Sequence, residues 1–172
     1  MWTLQSRIFS GAKEPTVSAI EFLKRQHREV EQLFEQLKVS DDDRERLHLL
    51  GNLAETLTLH SALEERRFYP LCQELGLVDD VRRSLEEHGE MKRLISRMLQ
   101  LKRRDPSLMP TVERLQERVE AHVEEEETSL FPQVKAAADD AVLDRLGEQM
   151  ESDAPALLDE DLLEGDADQP SP

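Results

Sequence analysis

The chain has 172 residues, with 22 Lys and Arg against 38 Asp and Glu, a formal net charge of -16. That balance speaks against nucleic acid or an anionic membrane as a partner, since both would repel most of such a surface. The length suits one domain with tails, and a composition with one Trp, one Tyr and six Gly but abundant Leu, Glu and Arg predicts an all-α fold.

No stretch approaches the roughly 18 uninterrupted apolar residues of a membrane span. The opening Met1-Trp2-Thr3-Leu4-Gln5-Ser6-Arg7 lacks the apolar core of a secretory signal. A cytoplasmic protein is expected, and the single Cys72, which has no partner for an internal disulfide, fits a reducing compartment.

Residues 1–17 read as a flexible N-terminal segment. The first helix follows over residues 18–38, where Ile20, Leu23, His27, Val30, Phe34 and Leu37 recur at steps of three and four. Ser18 with Glu21 supplies a capping-box start, and Ser40-Asp41-Asp42-Asp43 breaks the pattern and begins the next helix. The second stripe runs Leu50, Leu53, Leu57, His60, Glu64, Phe68 and Leu71 and ends near Gly76, with Pro70 expected to kink its last turns.

A third stripe, Val81, Leu85, His88, Met91, Ile95 and Met98, stops before Asp105-Pro106. A fourth follows with Leu108, Val112, Leu115, Val119, His122, Glu126 and Leu130. Four amphipathic helices with short connections predict an up-down-up-down antiparallel four-helix bundle over residues 18–150. A short extra helix is expected around Ala141 to Met150. Twelve acidic residues and one basic, Arg145, lie from Asp139 onward, so residues 151–172 read as an acidic, disordered tail.

The two halves repeat each other. His27-Arg-Glu29-Val30 matches His88-Gly-Glu90-Met91, and His60-Ser-Ala-Leu-Glu64-Glu65-Arg-Arg-Phe-Tyr69-Pro70 aligns without a gap on His122-Val-Glu-Glu-Glu126-Glu127-Thr-Ser-Leu-Phe131-Pro132. His27 to His60 is 33 residues and His88 to His122 is 34, so one helical hairpin is used twice. An approximate twofold pairing of the hairpins would bring His27, His60, Glu64, His88, His122 and Glu126 to one level inside the bundle.

His60 with Glu64, and His122 with Glu126, stand at i and i+4, on one helix face. Two imidazoles and a carboxylate make a ligand set that suits non-haem iron with open positions, and its duplication predicts two metal ions bridged by the two carboxylates. If both Glu bridge and one oxygen is shared, about two of some twelve octahedral positions stay open for an exogenous ligand. Two ionised Glu in an apolar bundle would be costly unpaired, and two divalent cations would offset them.

Other candidates weigh less. His48 has no counterpart in the second half and reads as a surface residue, and Glu31 is matched by Lys92 and reads as an exposed charge. Glu65 and Glu127 lie about 100° around the helix from their neighbours, which favours a solvated or salt-bridged role. Glu29 and Glu90 recur on nearly the opposite face without a functional account. Tyr69 and Phe131 are expected to close the bundle end by packing, with a redox-bystander role as the alternative for Tyr69 beside two iron ions, and Cys72, with only Arg66-Arg67 nearby, is not expected to be reactive.

On His27, His60-x-x-x-Glu64, His88 and His122-x-x-x-Glu126, residues 18–150 resemble the hemerythrin-like, or HHE cation-binding, domain family of the bacterial single-domain type. The resemblance implies a four-helix bundle around two non-haem iron ions, oxo- or hydroxo-bridged, that handle dioxygen, nitric oxide or peroxide. Lys92 stands where oxygen-carrying hemerythrins have a further His, and Glu126 where they have an Asp, which favours redox turnover over reversible carriage. Ferritin-like bundles use Glu-x-x-His instead. Three functions follow: binding of a small diatomic ligand or peroxide in sensing, storage or detoxification; a peroxidase, catalase-like or oxidase enzyme; or a metal-independent helical interaction module with the acidic tail on a basic partner.

Overall fold

The computed structural model describes residues 17–165, with side chains as far as residue 157. Of the segments expected to be flexible (1–17) and disordered (151–172), residues 1–16 and 166–172 fall outside the described residues. Helix α1 spans Ala19–Val39, α2 Asp43–Leu63, α3 Tyr69–Glu74, α4 Val78–Gln100, α5 Leu108–Glu125, α6 Phe131–Ala137 and α7 Asp140–Gly165. Two five-residue π-helical turns, π1 (Glu64–Phe68) and π2 (Glu126–Leu130), join α2 to α3 and α5 to α6. No strand occurs among the described residues, and none of their helices is long and apolar enough to cross a membrane.

The expected boundaries rest on identifiable caps. Ser18 accepts a hydrogen bond from the Glu21 amide at 3.4 Å, and Asp42 accepts one from Arg44 at 3.1 Å. At the far end of the first hairpin Gly76 takes φ 86°, letting its own N–H reach Gln73 O and that of Leu77 reach Cys72 O, a Schellman closure that turns the chain into α4.

α1 pairs with α2 and α4 with α5, giving the two hairpins of the bundle, and α2 touches α4. One apolar cluster, including Phe34, Leu53, Met98 and Leu115, fills one end. A second, including Leu23, Phe68, Phe131 and Val134, fills the other. Between them lies a buried polar layer made by His27, His60, Glu64, His88, His122 and Glu126.

Three details differ from the sequence pattern. In α4 it is Ser84 that turns inward, while Leu85 is exposed, because Ser84 lies one turn before His88 on the same face. Pro70 and Pro132 each follow a π turn, instead of kinking an α-helix. A proline cannot donate to the ladder, and the π turn gives up helical bonds at that point.

The third difference is α7, which is 26 residues long and continues through Pro155 into the stretch expected to be tail. It packs on α1 and α2, burying Leu143, Leu146, Met150 and Leu157, and Arg67 anchors it through Asp153 at 2.6 Å. Gly147 permits this docking: a Cβ there would collide with the Val17 carbonyl oxygen at the start of α1. The apolar spacing of Leu143, Leu146, Met150 and Leu157 outweighs the acidic composition around it.

Candidate metal centre

All six residues singled out by the repeat converge, one level deep inside the bundle. His27, His60, Glu64 and Glu126 present donor atoms that all lie within 4.8 Å of one another, and so do Glu64, His88 and His122. The two groups share Glu64. The imidazoles pair across each hairpin, His27 to His60 at 4.9 Å and His88 to His122 at 4.8 Å between ring centroids.

Each imidazole is held from behind by a hydrogen bond at Nδ1. The acceptors are Glu127 for His27 (2.8 Å), Gln26 for His60 (3.0 Å), Glu65 for His88 (2.9 Å) and Glu87 for His122 (2.8 Å). The three carboxylates are held below their ordinary pKa despite partial burial, by hydrogen bonds from His27, His88 and His122, helped by Arg28 and Lys92. An ionised carboxylate and an amide oxygen only accept, so Nδ1 carries a proton and Nε2 is the atom each ring turns to the interior, the orientation a metal-binding imidazole requires.

Glu65 and Glu127, expected on a solvated or salt-bridged face, thus orient ligand-type histidines from a neighbouring helix. They are also salt-bridged, Glu65 to Lys92 at 2.7 Å and Glu127 to Arg28. Lys92, at the position where the sequence departs from oxygen carriers, therefore holds an orienting carboxylate. The Glu-Glu doublets and the Gln26-His27 and Glu87-His88 pairs recur in both halves and were the available sequence signal. His48, Glu31, Glu29 and Glu90 are exposed, as their poor repeat match or outward face implies.

The π turns decide a further residue. In each, the N–H of the aromatic residue closes onto the carbonyl of the ligand-type Glu five positions earlier: Tyr69 onto Glu64 and Phe131 onto Glu126. That places residue i+5 beneath residue i, where an α-helix would carry it away. Phe131 then stacks on His27, with centroids 5.8 Å apart and planes at 7°, as packing predicted. Tyr69 does more than pack: its hydroxyl lies 3.1 Å from His88 Nε2, 3.1 Å from Glu126 Oε1 and 3.3 Å from Glu64 Oε2.

The electrostatics of the layer are unbalanced without a cation. Burial dominates at His60 and drives its pKa down to about 3 against the attraction of Glu64. Burial also opposes protonation of His27, His88 and His122, but the surrounding carboxylates outweigh it and their pKa values end raised. Glu126 is pushed up by burial and then by the Glu64 charge, whereas Glu64 is held well below the carboxylate range because His60, His122 and His88 overcome the burial penalty.

His27 Nε2, His60 Nε2, Glu64 Oε1 and Glu126 Oε2 are buried without a hydrogen-bond partner. Leaving four such atoms unpaired, two of them on carboxylates, is costly by several kcal/mol, in the range of about 1–3 per atom. A divalent cation bound by nitrogen and oxygen donors satisfies all four, so these residues fit a metal.

An outer groove of about 320 Å³ between α1 and α5 is lined by Val30, Phe34, Val119 and Val123 and reaches His27 and Glu127. An inner cavity of about 10 Å³, water-sized, lies beyond and is lined by His27, His60, His122 and Met91. Val30, Val119 and Val123 border both. The outer groove also carries Arg28, Glu31, Gln116, Glu120 and Glu124, so the approach to the layer is polar at its mouth and narrows between valines to room for a very small molecule.

The family model for the hemerythrin HHE cation binding domain matches residues 18–134 and, in a second match, residues 86–160. The chain belongs to the hemerythrin HHE cation-binding domain family. A solved structure of similar fold, the hemerythrin HHE cation binding domain-containing protein of Mycobacterium kansasii, superposes with a TM-score of 0.74 at 24% identity, over 88% of this chain and 94% of that one. A curated relative from Nostoc sp. (strain PCC 7120), a "DNA nickase", is 26% identical over 130 residues, 76% of this chain. The chain spans 37% of that relative's length. The HHE domain thus comes with a His/Glu cluster arranged to bind metal cations.

Proposed function

We propose that His27, His60, Glu64, His88, His122 and Glu126 would hold two non-haem iron ions, with Glu64 common to both donor sets, in a protein that binds or reacts with dioxygen, nitric oxide or peroxide. The observation that carries this reading is the pair of overlapping donor groups sharing Glu64, with four imidazoles pinned at Nδ1 so that their Nε2 atoms face inward. When bound, such a pair supplies two redox-active Lewis-acid centres with positions open to an exogenous ligand.

The chain's own residues supply the rest. Val30, Val119 and Val123 line the inner end of the groove beside the layer, where the cavity has room only for a very small molecule. In the metal-free layer Tyr69 Oη keeps its proton, since burial and the charges of Glu64 and Glu126 raise its pKa well above the phenol range. It is placed to donate a hydrogen bond into the layer. Glu65, Glu87 and Glu127 stay ionised and hold the imidazoles in register.

Purified protein should contain about two irons per chain, with near-ultraviolet bands that change on adding nitric oxide or peroxide. Peroxide consumption persisting through many equivalents assigns turnover, and a single stoichiometric reaction assigns binding. Full thermal stability of both metal-stripped protein and His60→Ala, with no iron bound, would instead favour a metal-independent helical module. The nickase activity named for the Nostoc protein belongs to a longer chain, and the charge of -16 gives no support for DNA binding by this one.

A further inference from the structure

The duplicated hairpins are nearly equivalent in the donors they contribute, yet the residue five positions after each ligand-type Glu differs, Tyr69 after Glu64 and Phe131 after Glu126. At the His27/His60 position, Nε2 of both imidazoles and one oxygen each of Glu64 and Glu126 have no hydrogen-bond partner, and four donor residues lie within 4.8 Å of one another. Phe131 stacks flat on His27 there and holds the ring without engaging its nitrogen.

At the His88/His122 position the repeat substitutes Tyr69 for Phe131. The Tyr69 hydroxyl stands 3.1 Å from His88 Nε2 and reaches both Glu126 Oε1 and Glu64 Oε2, while His88 Nε2 also lies 3.1 Å from His122 Nε2. Only three donor residues, Glu64, His88 and His122, gather within the same 4.8 Å. An ion entering there has to displace a hydroxyl from the atoms that would bind it, whereas at the His27/His60 position the nitrogens face Glu126 Oε2 at 3.4 Å and Glu64 Oε2 at 3.3 Å, carboxylate oxygens of the donor set that the ion would itself bind.

Resting on the metal-centre reading above, we propose that the two positions load in order, His27/His60 first and His88/His122 second, and that the Tyr69 hydroxyl sets the order. It contacts His88 and Glu64 of the second donor set until the second ion arrives. Loss of one or two buried hydrogen bonds on entry separates the two dissociation constants by about tenfold.

The test is a calorimetric and optical titration of the metal-stripped full chain with Co²⁺, with circular dichroism to monitor folding. Wild-type protein is expected to bind in two resolved steps. His122→Ala should keep the tight step and lose the weak one, and His60→Ala should do the reverse. Tyr69→Phe, which copies the residue the repeat itself places at Phe131, should bring the two affinities together by strengthening the second.

Two equal steps in wild type, or loss of the same step in both histidine variants, would overturn the order. A wider separation in Tyr69→Phe would show the hydroxyl to be a donor to the ion and overturn its role as a competitor. No Co²⁺ binding by wild-type protein would sink the metal-centre reading itself, a result distinct from binding two ions alike.

Discussion

The carboxylate behind His27 offers a sharp test of how the site is built. Glu127→Ala removes the acceptor 2.8 Å from His27 Nδ1, on a ring whose side chain is 2% exposed, and frees Arg28 from its partner. Outer hydrogen-bond partners of metal-binding histidines are worth about 10–100-fold in metal affinity. The Glu127 side chain is 22% exposed, so solvent screens part of its charge and the lower end applies, about tenfold or 1.4 kcal/mol. Glu127→Gln keeps an oxygen acceptor, as Gln26 does for His60, and should lose only a few-fold. Chelator-competition titrations on both variants measure the ratio, with Glu29→Ala as an exposed control on α1. Wild-type affinity in Glu127→Ala, or an equal loss in Glu29→Ala, would refute the claim that Nδ1 partners hold the imidazoles for metal.

Other consequences are equally direct. His60→Ala and Glu126→Ala should each lower iron per chain by elemental analysis, whereas His48→Ala, an exposed residue hydrogen-bonded to Asn52, should leave it unchanged. Gly147→Ala forces a Cβ against the Val17 backbone and should destabilise the fold by roughly 1–3 kcal/mol, seen as a lower denaturation midpoint. Burial, reinforced by the Glu126 and Glu64 charges, pushes the Cys72 thiol up to about 12. A raised pKa keeps the protonated, unreactive form at pH 8, so a thiol reagent should label Cys72 only after denaturation, and rapid native labelling would contradict its burial.

The bundle was legible because its signal is redundant. Each long helix repeats one apolar stripe, and the hairpin is written twice, so His27 and His88, or His60-x-x-x-Glu64 and His122-x-x-x-Glu126, vouch for each other where a single buried histidine would not. Duplication also separated His48 and Glu31 from the six residues of the layer.

What stayed hidden depends on geometry that sequence spacing does not carry. Sequence spacing gives Tyr69 no contact with the donors, and the π turn, closing Tyr69 N–H onto Glu64, brings its hydroxyl among them. Glu65 and Glu127 lie off the ligand face of their own helices, yet each reaches a histidine on another helix, a relation fixed by interhelical packing. α7 runs on through an acidic stretch because Leu157 finds a place in the core and Asp153 meets Arg67, contacts supplied by residues far away in the chain. Local sequence determined the helices and the atoms each offers to the interior; the tertiary fold alone decided which of those atoms meet, because hydrogen bonds of about 3 Å depend on the placement of neighbouring helices.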